Sequence, residues 1–362
     1  MRGYHCRGIG SRHARDREAR AKSSPGNGVS LLQRVLLSRT DRLGDVILST
    51  PVATAIKKAF PAAEVHFLAR NYTADILEMH PAVDGIIRID EVNEAGALSK
   101  LLRQYSFDAV VALYPRPALA WAFVRAGIPL RVGTGYRWYS LLYNRRIYEH
   151  RKHAARHEAE FNLQLLAPLG INDAEVEFQV RFDNEIEATL ANKLAANGIE
   201  KKFVVMHPGS GGSARDWPPE HFAALAKHLV SEKKHQVVLT GHQGEQMLTQ
   251  QIQQLSGEKL IDLAGRLTLK ELAGVIRRAA LFVGNSSGPL HLARMVGTPV
   301  TAFYPPITAC RPERWGPYGC RADVLMSQQE ECFRCRKSQE RVCACMRAIS
   351  VEQAILKLEE ML

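Results

Sequence analysis

Short apolar runs alternate along the chain with stretches in which apolar residues recur every three or four positions. Arg34-Val-Leu-Leu-Ser38 is the first run. The loop Arg39-Thr-Asp-Arg-Leu-Gly44 follows, and Asp45 opens a helical pattern carried by Val46, Ile47, Val52, Ile56 and Phe60. Pro51 predicts a kink there, because it lacks an N–H and crowds the preceding turn. Runs at 64–69, 86–89, 109–113 and 130–133 predict further strands, with helical spacing at 98–105 and 118–126. Strand and helix in alternation favour a parallel sheet. Residues 136–156 break the pattern: rich in Arg, Tyr and His, they read as an extended loop. A helix at 158–169 and one alternating strand at 176–182 lead into a second series. It predicts strands at 203–206, 236–240, 260–263, 279–283 and 300–304, and helices at 221–230, 245–255, 269–278 and 289–296. The expected architecture is α/β, with two doubly wound, Rossmann-like domains facing a cleft, at 31–180 and 181–348. A last helix within 349–362 is expected to cross back to the first domain.

A chain of 362 residues with 46% apolar residues is large enough for two such cores. No apolar run approaches the roughly 20 residues of a membrane span, and the N-terminus lacks the apolar core of a signal peptide. A soluble, cytoplasmic protein is expected. The net charge is +11, and residues 1–30 hold seven Arg or Lys against Asp16 and Glu18. So polar and basic a segment predicts a disordered tail. The basic body favours phosphate-rich ligands or an anionic membrane face. No interleaved basic and aromatic module points to nucleic acid.

Two loops carry candidate chemistry. Val283-Gly-Asn-Ser-Ser-Gly-Pro-Leu-His291 places Ser286, Ser287 and Gly288 between a strand and a helix that Pro289 can begin. Unpaired N–H groups and the positive helix end favour an anion there, although hydroxyl caps alone would give the same pattern. His207-Pro-Gly-Ser-Gly-Gly-Ser-Ala-Arg-Asp-Trp-Pro-Pro219 is the second loop. Its glycines, Gly211 among them, let backbone approach a ligand; Ser210 and Ser213 add hydroxyls. Arg215 can hold a phosphate through two parallel hydrogen bonds. The same loop fits G-x-G-x-x-A, but Trp217-Pro-Pro219 delays the helix that a dinucleotide fold would start inside the glycine run. Glu245, beyond the next strand, could accept from ribose hydroxyls or simply favour a helix start. Asp45 is the candidate general base, with a plain N-cap as the other reading and Asp41 as its competitor.

These residues resemble glycosyltransferase family 9, the heptosyltransferases. The similarity runs from Arg39-Thr-Asp-Arg-Leu-Gly-Asp-Val-Ile-Leu-Ser-Thr-Pro51 through His207-Pro-Gly-Ser-Gly and Trp217-Pro to Leu263-Ala-Gly-Arg-Leu-Thr268 and Asn285-Ser-Ser-Gly-Pro-Leu-His291. The resemblance implies a GT-B fold and inverting, metal-independent transfer of a heptose from an ADP-heptose-like donor. The implied acceptor is a hydroxyl on a lipid-linked, lipopolysaccharide-core-like saccharide at the inner membrane face. It assigns Asp45 as base, Arg215 to the phosphates, Glu245 to ribose, and Gly288 and His291 to the donor. The family pattern has an Asp where Ser286 stands, which leaves open a different sugar or binding without transfer. No cofactor and a monomer are expected.

Six of seven cysteines lie between Cys310 and Cys345. The spacing of Cys332, Cys335, Cys343 and Cys345 permits a structural zinc; reduced thiols in a surface loop are the alternative.

Overall fold

The computed structural model describes residues 4–5, 32–92, 96–149, 156–200, 202–319, 322–328 and 340–362. The chain divides between Arg181 and Phe182 into two compact units, Tyr4–His5 belonging with the second. In chain order the strands are β1 (Tyr4–His5), β2 (Arg34–Ser38), β3 (Glu64–Ala69), β4 (Gly85–Arg88), β5 (Ala109–Ala112), β6 (Leu130–Thr134) and β7 (Arg145–Ile147). They continue with β8 (Phe203–His207), β9 (Gln236–Leu239), β10 (Ile261–Asp262), β11 (Leu281–Asn285), β12 (Val300–Tyr304) and β13 (Ala322–Met326).

The first unit is a sheet of order β4-β3-β2-β5-β6-β7, parallel throughout. Its central strands are buried on both faces, which is why they read as unbroken apolar runs. Val35 and Leu37 point into one core with Phe67 and Val111, and Leu36 into the other with Val110 and Phe123. The predicted kink at Pro51 is a full break: helices Leu43–Ile47 and Thr50–Ala59 are separate, and Pro51 lies in the first turn of the second. A first-turn proline removes no helical hydrogen bond.

The second unit has the order β1-β13-β12-β11-β8-β9-β10. All its strands are parallel except β1, which pairs antiparallel with β13. Leaving the antiparallel β1 aside and counting from β2 and from β8, each sheet runs 3-2-1-4-5-6, so each has a topological switch point: between β2 and β5, and between β8 and β11.

Several expectations are corrected. Residues 176–182 form no ladder; the alternation there is an extended connection whose Arg181 N–H donates to the Met79 carbonyl at 2.8 Å. Asn184–Ala196 is a helix, capped by the Asp183 carboxylate on the Ile186 N–H at 2.8 Å. The last helix, Val351–Glu359, belongs with the second unit. Ala354 and Leu358 join the core around Phe222 and Leu229 of its own unit, and Lys233 pairs with Glu359 at 2.8 Å. Of the basic tail, Tyr4–His5 lie on a sheet edge and the remainder is outside the described residues. No helix among the described residues is long and apolar enough to cross a membrane.

Candidate functional site

The loop after β2 is organised by one arginine. Arg39 is only 3% exposed. Its Nε donates to Asp41 at 2.7 Å, its Nη2 to Asp45, and its Nη1 to the Leu113 carbonyl at 3.1 Å. Glu158, on a helix 119 residues along the chain, places a buried oxygen 3.6 Å from Nη1. Burial alone would lower the pKa of Arg39, but the three carboxylates outweigh it and keep the guanidinium charged. Asp41 carries the compensating strain: burial first, and then Asp45, push its pKa up to about 6 in spite of Arg39. Asp45 itself sits in the first turn of helix Leu43–Ile47, 19% exposed. It is ion-paired rather than bare, but one guanidinium shared among three carboxylates leaves the cluster negative. Only one Asp45 oxygen is engaged among the described residues.

The second unit builds a site of opposite character at its switch point. β8 and β11 are neighbours, with Gly284 opposite His207, so their following loops start side by side. Asn285, fully buried, staples the loops: Nδ2 donates to the Pro208 carbonyl at 2.6 Å, and Oδ1 accepts the Trp217 N–H at 2.9 Å. Ser213 adds a second tie through Oγ, to the Ser286 carbonyl at 3.1 Å. Trp217 is an anchor: its ring stacks on Phe303 at 3.9 Å and its Nε1 donates to the Ile349 carbonyl at 2.9 Å. That anchoring is why Trp-Pro precedes the helix Pro219–Ser231 instead of lying within it.

Glu245 is buried, and both its oxygens serve the protein. Oε1 accepts the Gly211 N–H at 3.3 Å and Oε2 the His242 N–H at 3.0 Å. Gly209 must be glycine for this contact, since a Cβ there would lie 1.9 Å from Glu245 Oε1. Gly211 and Gly212 turn the loop at φ of 56° and 77°, a region that favours glycine. Arg215 donates through Nη1 to the Glu340 carbonyl, and the Asp216 N–H donates to the Arg341 carbonyl at 2.9 Å. Ser210 Oγ donates back to the Ala214 carbonyl at 3.2 Å.

Ser287 is the exception in this network. It is the N-cap of helix Gly288–Met295 but makes no capping bond. Its buried Oγ has no hydrogen-bond partner. A buried hydroxyl left unmade costs roughly 1–3 kcal/mol, and here it lies at a helix start that attracts anions. Ser286, Gly288 and His291 flank it on the same turn.

Sequence reasoning missed Arg39, Glu158, Asn285 and Asp216 as organisers of these loops. Asp216 is buried, which raises its pKa to about 6; Ser210 and Arg341 act against that rise. Burial lowers His207 to about 4, opposed by Glu245. Cys343 and Cys345 are buried around the short helix Ala344–Arg347. Cys332 and Cys335 lie outside the described residues, and no group of metal-ligating side chains occurs among the residues described.

Comparison with known proteins bears on the family and the fold. The family model of glycosyltransferase family 9 (heptosyltransferase) matches residues 95–345. Lipopolysaccharide heptosyltransferase 3 of Escherichia coli is 26% identical over 285 residues, covering 72% of this chain and 79% of that protein. A family 9 glycosyltransferase structure from Veillonella parvula superposes with a TM-score of 0.78 at 23% identity, covering 92% of this chain and 98% of that one. The E. coli ADP-heptose lipopolysaccharide heptosyltransferase II structure gives 0.71 at 22%, covering 91% and 100%. The two Rossmann-like sheets are thus those of a GT-B fold. With the family model spanning well over half of its length, the chain belongs to glycosyltransferase family 9 and is a glycosyltransferase.

Proposed function

We propose that the protein transfers a heptose from an ADP-heptose-like donor to a hydroxyl of a lipid-linked, lipopolysaccharide-core-like saccharide, with inversion at the anomeric carbon. The supporting observation is the contrast between two loops. One holds a carboxylate beside an arginine. The other offers a Gly/Ser cradle with an orphaned hydroxyl at a helix start. The names of the relatives support the donor and acceptor classes.

In this reading the C-terminal unit binds the donor. The diphosphate rests on the helix start at Ser287 and Gly288 and on the turn at Gly211–Ser213, with Arg215 swinging from the Glu340 carbonyl to the phosphates. His291 and Ser286 border the sugar. Glu245 acts chiefly by fixing the Gly209–Gly211 backbone, so its effect on the ribose is through the loop. Asp45 takes the proton from the acceptor hydroxyl as its oxygen bonds to the anomeric carbon. The bond from that carbon to the diphosphate oxygen breaks, and the electron pair leaves with the nucleotide. Fixed N–H groups and Arg215 meet the charge that develops there, and no divalent ion is required.

A second reading, transfer from another nucleotide sugar, is favoured by Ser286, which is neutral and short where the family resemblance has an acid. One experiment separates the two. Melting temperatures are recorded with ADP, UDP and GDP and their sugars, since a ligand that binds only the native state raises the melting point. Transfer is then measured with ADP-heptose in the presence of EDTA. ADP stabilisation with EDTA-resistant transfer is expected. Stabilisation by UDP or GDP alone, or loss of transfer in EDTA, would overturn the donor or the metal-independent step respectively. The acceptor class predicts action at the cytoplasmic face of the inner membrane.

A further inference from the structure

Residues 109–148 contain six arginines and no aspartate or glutamate. Within them, between β6 and β7, the chain forms a spur that is held from below and bare on top. Ser140 Oγ donates to the Thr134 carbonyl at 2.6 Å and accepts the Arg137 N–H at 3.0 Å. The Tyr139 hydroxyl donates to the Pro115 carbonyl at 2.9 Å, and Arg131 Nε to the Leu142 carbonyl at 2.9 Å. Tyr139, Ser140, Leu142 and Tyr143 are buried by these contacts. Trp138 and Leu141, between them, are 78% and 71% exposed. Tyr136 and Tyr148, also exposed, pack edge to face at 5.5 Å beside the spur.

Exposure of a large indole and a leucine on an ordered, hydrogen-bonded turn has no folding rationale: burying either would stabilise the chain. Close by in the chain, Arg137, Arg145 and Arg146 are exposed and pair with no carboxylate among the described residues. Arg145 and Arg146 lie on β7, the edge strand of the sheet, where charge also discourages strand pairing. That role does not account for Trp138 or Leu141.

We infer that this spur is a membrane-docking surface, with Trp138 and Leu141 entering the headgroup region of an anionic bilayer while Arg137, Arg145 and Arg146 bind lipid phosphates. The chemistry of each part fits its place. Tryptophan favours the membrane–water boundary, arginine stems lie along apolar surface while their heads stay in the polar layer, and juxtamembrane cations are drawn to anionic lipid. With no spanning helix among the described residues, such contact is peripheral.

The test is flotation of the full chain with vesicles of phosphatidylglycerol and phosphatidylethanolamine, compared with vesicles of phosphatidylcholine alone. The wild type is expected to bind the anionic vesicles at least about tenfold better, and less well as salt rises. Trp138→Ser with Leu141→Ser should weaken that binding about tenfold or more, at unchanged melting temperature. Arg145→Gln with Arg146→Gln should weaken it roughly 10–30-fold. A complementary readout needs no destabilising change: brominated lipid should quench wild-type tryptophan emission and quench Trp138→Phe distinctly less. Absence of wild-type binding to anionic vesicles overturns the inference. So does loss of binding in the arginine variant with none in the Trp138–Leu141 variant, which would mark a plain polyanion site. So does equal quenching in Trp138→Phe. All these readouts measure lipid contact and none measures turnover, so their failure leaves the transferase reading standing.

Discussion

The loop after β2 and the loop after β8 hold the same topological place, each following the first strand of a 3-2-1-4-5-6 sheet, yet they are built from opposite materials. The first packs Asp41, Asp45 and Glu158 around a buried Arg39. The second contains Gly209, Ser210, Gly211, Gly212 and Ser213, with Asn285 and Glu245 tying its backbone down. One loop concentrates negative charge and so suits a proton acceptor. The other sets a helix start with the orphaned Ser287 hydroxyl where negative charge can be met. The fold supplies a place at the carboxyl end of a parallel sheet, and the side chains decide what charge that place presents.

The sharpest break in that comparison is removal of Asp45. Asp45→Asn should lower transfer by roughly 10²–10⁴-fold, the usual range for a general base, while leaving ADP affinity within about threefold by calorimetry. Asp41→Asn is the partner measurement. If Asp41→Asn abolishes transfer and Asp45→Asn does not, the base is Asp41 and the roles within the cluster are exchanged.

On the cradle side the largest effect is expected from Gly209→Ala. The added Cβ would sit 1.9 Å from Glu245 Oε1, so the loop or the carboxylate must move and the Gly211 N–H loses its acceptor. ADP affinity should fall by about 10²-fold and the melting temperature by several degrees, on the order of 1–3 kcal/mol. Wild-type affinity in this variant would show that the loop contributes little to the nucleotide.

How much of this contrast was readable beforehand depended on distance along the chain. The parallel α/β order followed from apolar runs such as Val35-Leu-Leu37 and Phe203-Val-Val-Met206, which are buried on both faces. The placing of Asp45, Ser287 and the glycines on loops and helix starts was legible because these are local patterns. Arg39 was not, because at the end of a strand it reads as an ordinary polar loop residue. Its burial depends on Glu158 and on the Leu113 carbonyl 74 residues away. Asn285 looked like one more small loop residue, and only the pairing of β8 with β11 brings it to Pro208 and Trp217. The helix Asn184–Ala196 escaped detection because only Leu190 and Leu194 of its residues are buried, too few to show a period. The final helix lies within the expected stretch, but that its stripe meets Phe222 and Leu229 was not readable, since an apolar stripe says that something is covered and not what.

Ser287→Ala should separate a ligand-facing hydroxyl from a structural cap. A cap serine stabilises its helix by about 1 kcal/mol, but Ser287 makes no cap bond and its Oγ is orphaned. Stability in urea should therefore stay level or rise by a few tenths of a kcal/mol. ADP affinity should fall roughly 5–10-fold, the net worth of one hydrogen bond at about 1 kcal/mol. Destabilisation with unchanged ADP affinity would assign Ser287 to the helix alone.

The mildest effects come from the two aspartates that both loops hold near pKa 6. Asp41 and Asp216 are raised chiefly by burial, the first despite Arg39 and the second against Ser210 and Arg341. A carboxyl whose folded pKa lies above its unfolded value binds its proton more tightly in the native state. Its contribution to stability is fully present below the unfolded pKa of about 3.9 and is lost as pH rises through about 6. Asparagine keeps the shape and the neutral state at every pH. Asp41→Asn and Asp216→Asn should therefore gain stability over the wild type above about pH 6, on the order of 1–2 kcal/mol each, and lose that gain near pH 4. Urea melts at intervals between these limits measure the slope. His207 acts with the opposite sign, since its folded pKa of about 4 removes stability as pH falls below about 6.5, so each variant must be compared with wild type at the same pH. A pH-independent difference for Asp41→Asn but a sloping one for Asp216→Asn would mean that Arg39 keeps Asp41 ionised, and that the first loop carries its full negative charge at neutral pH.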